Sequence, residues 1–292
     1  MIARRFFHRW WMCSLLWACV GGMCLAAGGG LARGFAEDSS KDTAAKVLPL
    51  PGEEFKVERR VAFVIPPAAS TSGSVIPWVW YAPTLPGLPG TEERWMFERF
   101  LAAGIAIAGI DVGESYGSPD GCALYTAFYE EMTLRRPYSR KPSLLARSRG
   151  GLMLYNWAAD HPASVSAIAG IYPVCNLISY PGLNVAHGAY HLTEAQLKEQ
   201  ITKYNPIDRL AGLAAARVPI YHIHGDSDTV VPLEANSGEL ARRYQQLGGP
   251  MTLKVIPGQG HNMWTGWFED QDLVDFVIAN TQASGVSHLG EK

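Results

Sequence analysis

The run Leu144-Leu145-Ala146-Arg147-Ser148-Arg149-Gly150-Gly151 decides how the chain is read. An apolar strand leads into a serine, and Leu152-Met153-Leu154-Tyr155-Asn156-Trp157 beyond it is patterned as a helix. A sharp strand-to-helix turn strains the backbone of its central residue, tolerates only small neighbours two positions away, and lifts the central hydroxyl clear of the sheet. The pattern for such a nucleophile elbow is G-x-S-x-G; here Ala146 stands at the first glycine and Gly150 at the second. The other reading of the same letters is a serine that caps the following helix.

A serine hydroxyl is a poor nucleophile until a histidine takes its proton and an acid holds that histidine in the right tautomer. Both partners occur downstream. Ile220-Tyr221-His222-Ile223-His224 reads as a strand that emerges into Gly225-Asp226-Ser227-Asp228, and the strand Met251 to Ile256 is followed by Pro257-Gly258-Gln259-Gly260-His261. Taken singly, Asp228 reads equally well as a turn residue and His261 as a loop histidine. Jointly, each after a strand and in the order Ser148, Asp228, His261, they read as the acid and base of a serine hydrolase.

The segments His224-Gly225-Asp226-Ser227-Asp228 with Val231-Pro232, and Gly258-Gln259-Gly260-His261, resemble the acid and histidine loops of α/β-hydrolases near the prolyl-oligopeptidase and secreted carbohydrate-esterase branches. The likeness runs from about Val75 to Ala279. It implies that the acid is the last aspartate of H-G-x-x-D, which is Asp228, with Asp226 shaping the loop. An arginine directly after the serine resembles the elbow of glucuronoyl esterases, which implies that the Arg149 side chain helps to bind the oxyanion. No β-propeller precedes the region in this sequence, so esters are favoured over peptide bonds.

Acyl transfer needs donors for the oxyanion. The Arg149 N–H is the first, by the logic of the elbow. The second is sought in Trp80-Tyr81-Ala82-Pro83-Thr84, where Pro83 has no N–H, which leaves Ala82 or Thr84. Candidate substrate contacts are Arg147 beside the nucleophile, Glu114 in the polar loop Asp111 to Gly117, Tyr180, and Trp264 and Trp267 just after His261. Two guanidinium groups near a serine suit a substrate that bears a carboxylate; the plainer readings are a solvent-facing Arg149, an Arg147 that points away, and buried tryptophans.

Strand patterns at Val75 to Tyr81, Ile105 to Ile110, Leu144 to Arg147, Val165 to Ile171, Ile220 to His224 and Leu253 to Ile256 alternate with helical ones at Glu92 to Ala103, Leu124 to Arg135, Gly151 to Asp160, Glu234 to Leu247 and Asp270 to Asn280. Phe55 to Ile65 alternates as an edge strand does. That is a doubly wound, mostly parallel α/β sheet, the α/β-hydrolase fold, in one domain from 55 to 292. The connection from about 173 to 217 is too long for a plain crossover; it holds one helix at Glu194 to Thr202 and reads as a small lid or as a surface excursion packed on itself.

The chain has 292 residues, 48% hydrophobic and 18% charged, with a formal charge of −2. No basic stripe occurs outside Arg4 to Arg9, which argues against a nucleic-acid partner. Arg4-Arg5-Phe6-Phe7-His8-Arg9 followed by the uncharged Trp10 to Ala27 reads as an export signal over 1–36, then a polar leader over 37–54. An uncleaved membrane anchor is the other reading of that segment. Beyond the signal the cysteines are Cys122 and Cys175, a disulfide or two separate thiols. His222, His224, Asp226 and Asp228 alternate as metal ligands on one strand face do, yet the H-x-H-x-D-H pattern lacks its last histidine, so neither metal nor cofactor is expected. The sequence thus predicts an exported serine esterase with Ser148 as nucleophile, acting on small-molecule or saccharide esters, of undetermined oligomeric state; the alternatives are a prolyl-oligopeptidase-type exopeptidase and a non-catalytic binding protein on the same fold.

Overall fold

The computed structural model describes residues 46–68 and 74–286. The export signal and the first half of the leader assigned from the sequence, 37–45, lie outside these residues. Eight strands form one sheet: β1 (Glu53–Val57), β2 (Arg60–Ile65), β3 (Trp78–Ala82), β4 (Ala106–Ile110), β5 (Ser143–Arg147), β6 (Ala167–Ile171), β7 (Ile220–Gly225) and β8 (Met251–Ile256). Their order is β1-β2-β4-β3-β5-β6-β7-β8. β2 runs antiparallel to both β1 and β4, and the remaining pairs are parallel. This is the α/β-hydrolase sheet.

Why these segments are strands follows from their burial. β3, β4, β5, β6 and β7 are buried at every position, so both faces are covered, and the runs in β3, β4 and β6 are continuously apolar instead of alternating. One face carries Trp78, Trp80 and Leu144 against Tyr125, Phe128 and Trp157; the other carries Val79, Tyr81 and Leu145 against Phe97, Phe100, Leu273 and Val277. The helices that supply these partners are α1 (Arg94–Ala102), α2 (Pro119–Glu130), α3 (Gly150–Asp160) and α9 (Gln271–Val286). Truncating any one of the buried tryptophans to alanine should cost about 3–5 kcal/mol.

Three expectations change. The edge strand expected over Phe55 to Ile65 is a hairpin, because Glu58 and Arg59 turn the chain at φ 48° and 65°. Such turns usually announce themselves with Asn-Gly, and this pair carries no such signal. Of the leader drawn over 37–54, Glu53 and Glu54 already lie in β1, and Lys46 Nζ donates to the Thr84 carbonyl at 2.6 Å. The insertion holds four short helices where one was expected: α4 (Leu183–Ala186), α5 (Glu194–Glu199), α6 (Ile201–Tyr204) and α7 (Ala211–Ala215). Its Leu177, Ala186, Tyr190 and Leu197 gather around Leu152 of α3 and Val231. Helix α8 (Ser237–Gln246) packs beside β8.

Candidate active site

Ser148 sits between the end of β5 and the start of α3 at φ 49°, the left-handed region that a serine enters only when its surroundings hold it there. They do so with three backbone bonds: its N–H donates to Ile171, and its carbonyl accepts from Gly151 at 3.0 Å and Val174 at 2.8 Å. A Cβ on Gly150 would come within 2.1 Å of the Ala82 carbonyl, so only glycine lets α3 start this close to β3. Ala146, at the other small position, is fully buried in β5.

The Ser148 hydroxyl lies 2.9 Å from His261 Nε2, and His261 Nδ1 lies 2.8 Å from Asp228 Oδ2. A carboxylate only accepts, so Nδ1 carries the ring proton and Nε2 is left to accept from the serine. The other Asp228 oxygen accepts from the N–H groups of Val230 (2.9 Å) and Val231 (2.8 Å). Burial alone would push this carboxyl up, but hydrogen bonds from His224, His261 and the Val231 N–H outweigh it and hold it well below the usual carboxylate range. Asp226 is exposed and does something else: it accepts from the Ser227 hydroxyl (2.9 Å) and the Gly258 N–H (2.7 Å), which ties the β7 loop to the β8 loop.

The cavity at Ser148, of about 200 Å³, is walled by Pro83, Leu88, Arg147, Tyr172, Asn262 and Met263. Neither Ala82 nor Thr84 is among its lining residues. Ala82 is a strand residue opposite Ala146, Thr84 is buried with its carbonyl bound to Lys46, and the residue of that segment that reaches the cavity is Pro83. Tyr180 belongs to the insertion's own apolar cluster, and Glu114 is occupied by an ion pair with the Arg149 guanidinium. Trp267 is fully buried, donating to Asn262 Oδ1 at 3.0 Å, and Trp264 stands half exposed edge-on to it; neither lines the cavity.

Arg147 does reach the cavity wall, but its charge is already engaged. Its guanidinium meets Glu93 at 2.5 Å and the Met263 thioether at 3.1 Å, and lies 4.9 Å over the Phe268 ring. Glu93 is 0% exposed and also accepts from the Tyr81 hydroxyl (2.7 Å) and the Gly90 N–H (2.8 Å). The two arginines beside Ser148 are therefore not a free pair of cations waiting for a carboxylate. The Arg149 backbone N–H stands at the N-terminal end of α3, among the helix donors that have no intrahelical partner.

Sequence reasoning passed over Glu93 and Tyr172. Glu93 lies 54 residues from Arg147, and nothing local marks it. The Tyr172 ring packs 4.3 Å from that of His261, at the end of β6 where the sequence offers only a strand terminus. Cys122 and Cys175 are both free thiols, and burial pushes the first up to about 12. His222 and His224 turn their Nδ1 atoms to the Ser237 hydroxyl, and among the described residues no group of three His, Cys, Asp or Glu is arranged to hold a metal ion.

Residues 143–279 match the model of the prolyl oligopeptidase family. No curated protein matches the sequence. Among solved structures, a puromycin-hydrolysing peptidase of Mycobacterium tuberculosis superposes with a TM-score of 0.60 at 16% identity, over 80% of this chain and 40% of that one. Dipeptidyl peptidase 4 of Porphyromonas gingivalis gives 0.61 at 15% identity, over 79% of this chain and 35% of that one. Acylaminoacyl peptidase of Pyrococcus horikoshii gives 0.58 at 15% identity, over 78% and 40%. At such identity the likeness is one of fold, and this chain spans well under half the length of those proteins.

Proposed function

From the premise that the chain is an α/β-hydrolase-fold serine hydrolase akin to the prolyl oligopeptidase family, we propose that it cleaves the acyl bond of small peptide-like amides through an acyl-enzyme on Ser148. The observation that carries the reading is the line Ser148 Oγ, His261 Nε2, His261 Nδ1, Asp228 Oδ2, with separations of 2.9 and 2.8 Å across its two hydrogen bonds. Ser148 attacks the acyl carbonyl as its proton passes to His261 Nε2. The resulting imidazolium is held by Asp228, the oxyanion forms at the Arg149 N–H, and the same proton then leaves with the amine. Water repeats the sequence on the acyl-enzyme, returning the serine.

Peptide-like substrates are preferred over esters because the similar solved structures are peptidases, and because Arg147, half of the case for a carboxylate-bearing ester, is paired to Glu93. Export is part of the proposal and rests on Arg4 to Arg9 with the uncharged run behind it. The test is a fluorophosphonate probe on wild type and Ser148→Ala, then a panel of Xaa-Pro and Ala anilides beside acetyl, feruloyl and methyl-glucuronate esters. Labelling that depends on Ser148 and measurable anilide turnover are expected. Labelling that survives Ser148→Ala would end the serine mechanism, and turnover of the esters alone would return the protein to the esterases.

A further inference from the structure

The acid of this site is itself held from behind by a buried line of side chains that the reaction as described does not use. His224 Nε2 lies 2.9 Å from the Val231 carbonyl oxygen and 3.3 Å from Asp228 Oδ2. Both are acceptors, so Nε2 carries a proton. His224 Nδ1 and His222 Nδ1 then meet the same hydroxyl, that of Ser237, at 2.8 and 2.9 Å. A hydroxyl has one proton to give. His222 Nε2 lies 2.7 Å from the Tyr155 hydroxyl, which among the described residues has no other hydrogen-bond partner.

These contacts admit one arrangement of protons for neutral rings in which every group is satisfied. Tyr155 donates to His222 Nε2, His222 Nδ1–H donates to Ser237 Oγ, Ser237 donates to His224 Nδ1, and His224 Nε2–H is shared by the Val231 carbonyl and Asp228. Run backwards, with His224 charged, the line ends on a phenol whose proton has nowhere to go. All four side chains are buried, and burial holds His222 neutral by pushing it down to about 3. Buried networks of this kind are stable when every member is satisfied.

We infer that His224 is a positioning residue for the Asp228–His261 pair, a donor fixed in its tautomer by Ser237, His222 and Tyr155. The carboxylate receives His224 on the same oxygen that holds His261, so the donor draws charge from the bond that steadies the imidazolium. With the donor gone, Asp228 holds the His261 proton harder, and the base is silenced at a higher pH. The groups that face His261 are Asp228 from the β7 loop, Tyr172 from the end of β6 and the Ser148 hydroxyl, with Arg147 and Arg149 on the cavity wall. Those that face His224 are Asp228, His222 and Ser237.

The inference rests on Ser148, His261 and Asp228 being catalytic, and the experiment separates the two. Active sites of wild type, His224→Leu, His224→Gln and Ser237→Ala are titrated with a fluorophosphonate, and kcat/KM for p-nitrophenyl acetate is measured against pH per titrated site. His224→Leu should move the acid limb up by about half a unit to one unit and lower the rate per site about tenfold. His224→Gln, whose amide can donate to the same oxygen, should bring the limb back; a packing role would leave the limb unmoved in both. If neither His224 variant has titratable sites, Ser237→Ala carries the test, with a smaller shift in the same direction expected. A limb that stays at the wild-type position in His224→Leu, or in Ser237→Ala where that variant must serve, overturns the inference. Absence of labelling in the wild type would overturn the catalytic reading instead.

Discussion

Two networks meet at Ser148, and they are made of opposite kinds of sequence. On one side stand Asp228 and His261, on loops that follow β7 and β8, with Asp228 gripped by the N–H groups of its own loop. On the other stand Arg147, Glu93 and Tyr81, drawn from three separate elements and joined by side chains alone. The first network opens on the cavity and is arranged to pass a proton. The second is closed around a carboxylate without exposure and fixes the end of β5 against the start of α1. The difference gives a rule that experiment can break: damage to the first should remove rate and spare the fold, and damage to the second should do the reverse.

The largest effect is expected from Ser148→Ala, a loss of roughly 10⁶-fold in hydrolysis with the melting temperature nearly unchanged. Asp228→Asn should follow at ~10⁴-fold, since an amide can donate to the ring and select the wrong tautomer. Asp226→Asn should do far less, because Asp226 braces two loops through bonds that do not touch His261. Equal losses in the two aspartate variants, measured per titrated serine, would show that the acid has been misassigned.

The second network is probed by stability. Arg147→Met leaves Glu93 buried without its cation, which should cost about 3–5 kcal/mol in urea unfolding. Replacing both partners by apolar residues of similar volume should recover most of that loss, because an uncompensated charge is worse than none. A single variant as stable as wild type would mean that the pair does not hold β5 to α1.

A smaller effect comes from His222, behind the acid, and is read by pH. His222 takes its proton near 6.5 when unfolded but only at about 3 when folded, so the unfolded state binds the extra proton throughout that window. Its contribution to stability is therefore whole above 6.5 and lost as pH falls toward 3, about 2 kcal/mol of it by pH 5. His222→Gln should flatten the fall between pH 7 and pH 5. An equally steep fall in that variant would place the acid sensitivity elsewhere.

The same contrast explains what could be read in advance. The sheet was legible because strands buried on both faces write largely apolar runs; Ser148 and Asp228 each follow such a buried strand, and His261 follows β8, the partly exposed edge strand. The hairpin at Glu58 and Arg59 was not, since neither residue is a usual carrier of positive φ. Glu93 looked like any carboxylate in a first helical turn; only the fold brings it under Arg147. Ala82 and Thr84 were chosen by excluding Pro83 for its missing N–H, yet which residue of a bending segment faces a cavity depends on the path of the chain, which composition does not fix. His222 and His224 drew notice as an alternating pair, but the hydroxyl that joins them enters from α8, beyond the loop.

The smallest effect belongs to Arg149, the residue after the nucleophile. Its side chain is paired to Glu114 with both partners about a third or more exposed, and such a pair is worth roughly 0–1 kcal/mol. Its N–H is a different matter, because substitution of the side chain leaves the backbone donor in place at the start of α3. Arg149→Ala should therefore lower kcat/KM by no more than about tenfold, and by a similar factor for anilides and esters alike, since removing an oxyanion donor outright costs about 10²–10³-fold. Glu114→Gln should leave the rate within about twofold. A loss beyond a hundredfold in Arg149→Ala, confined to substrates that bear a carboxylate, would move the guanidinium from the rim into substrate recognition. The residue would then divide its work, with the backbone on the side of the chemistry and the side chain on the side of specificity.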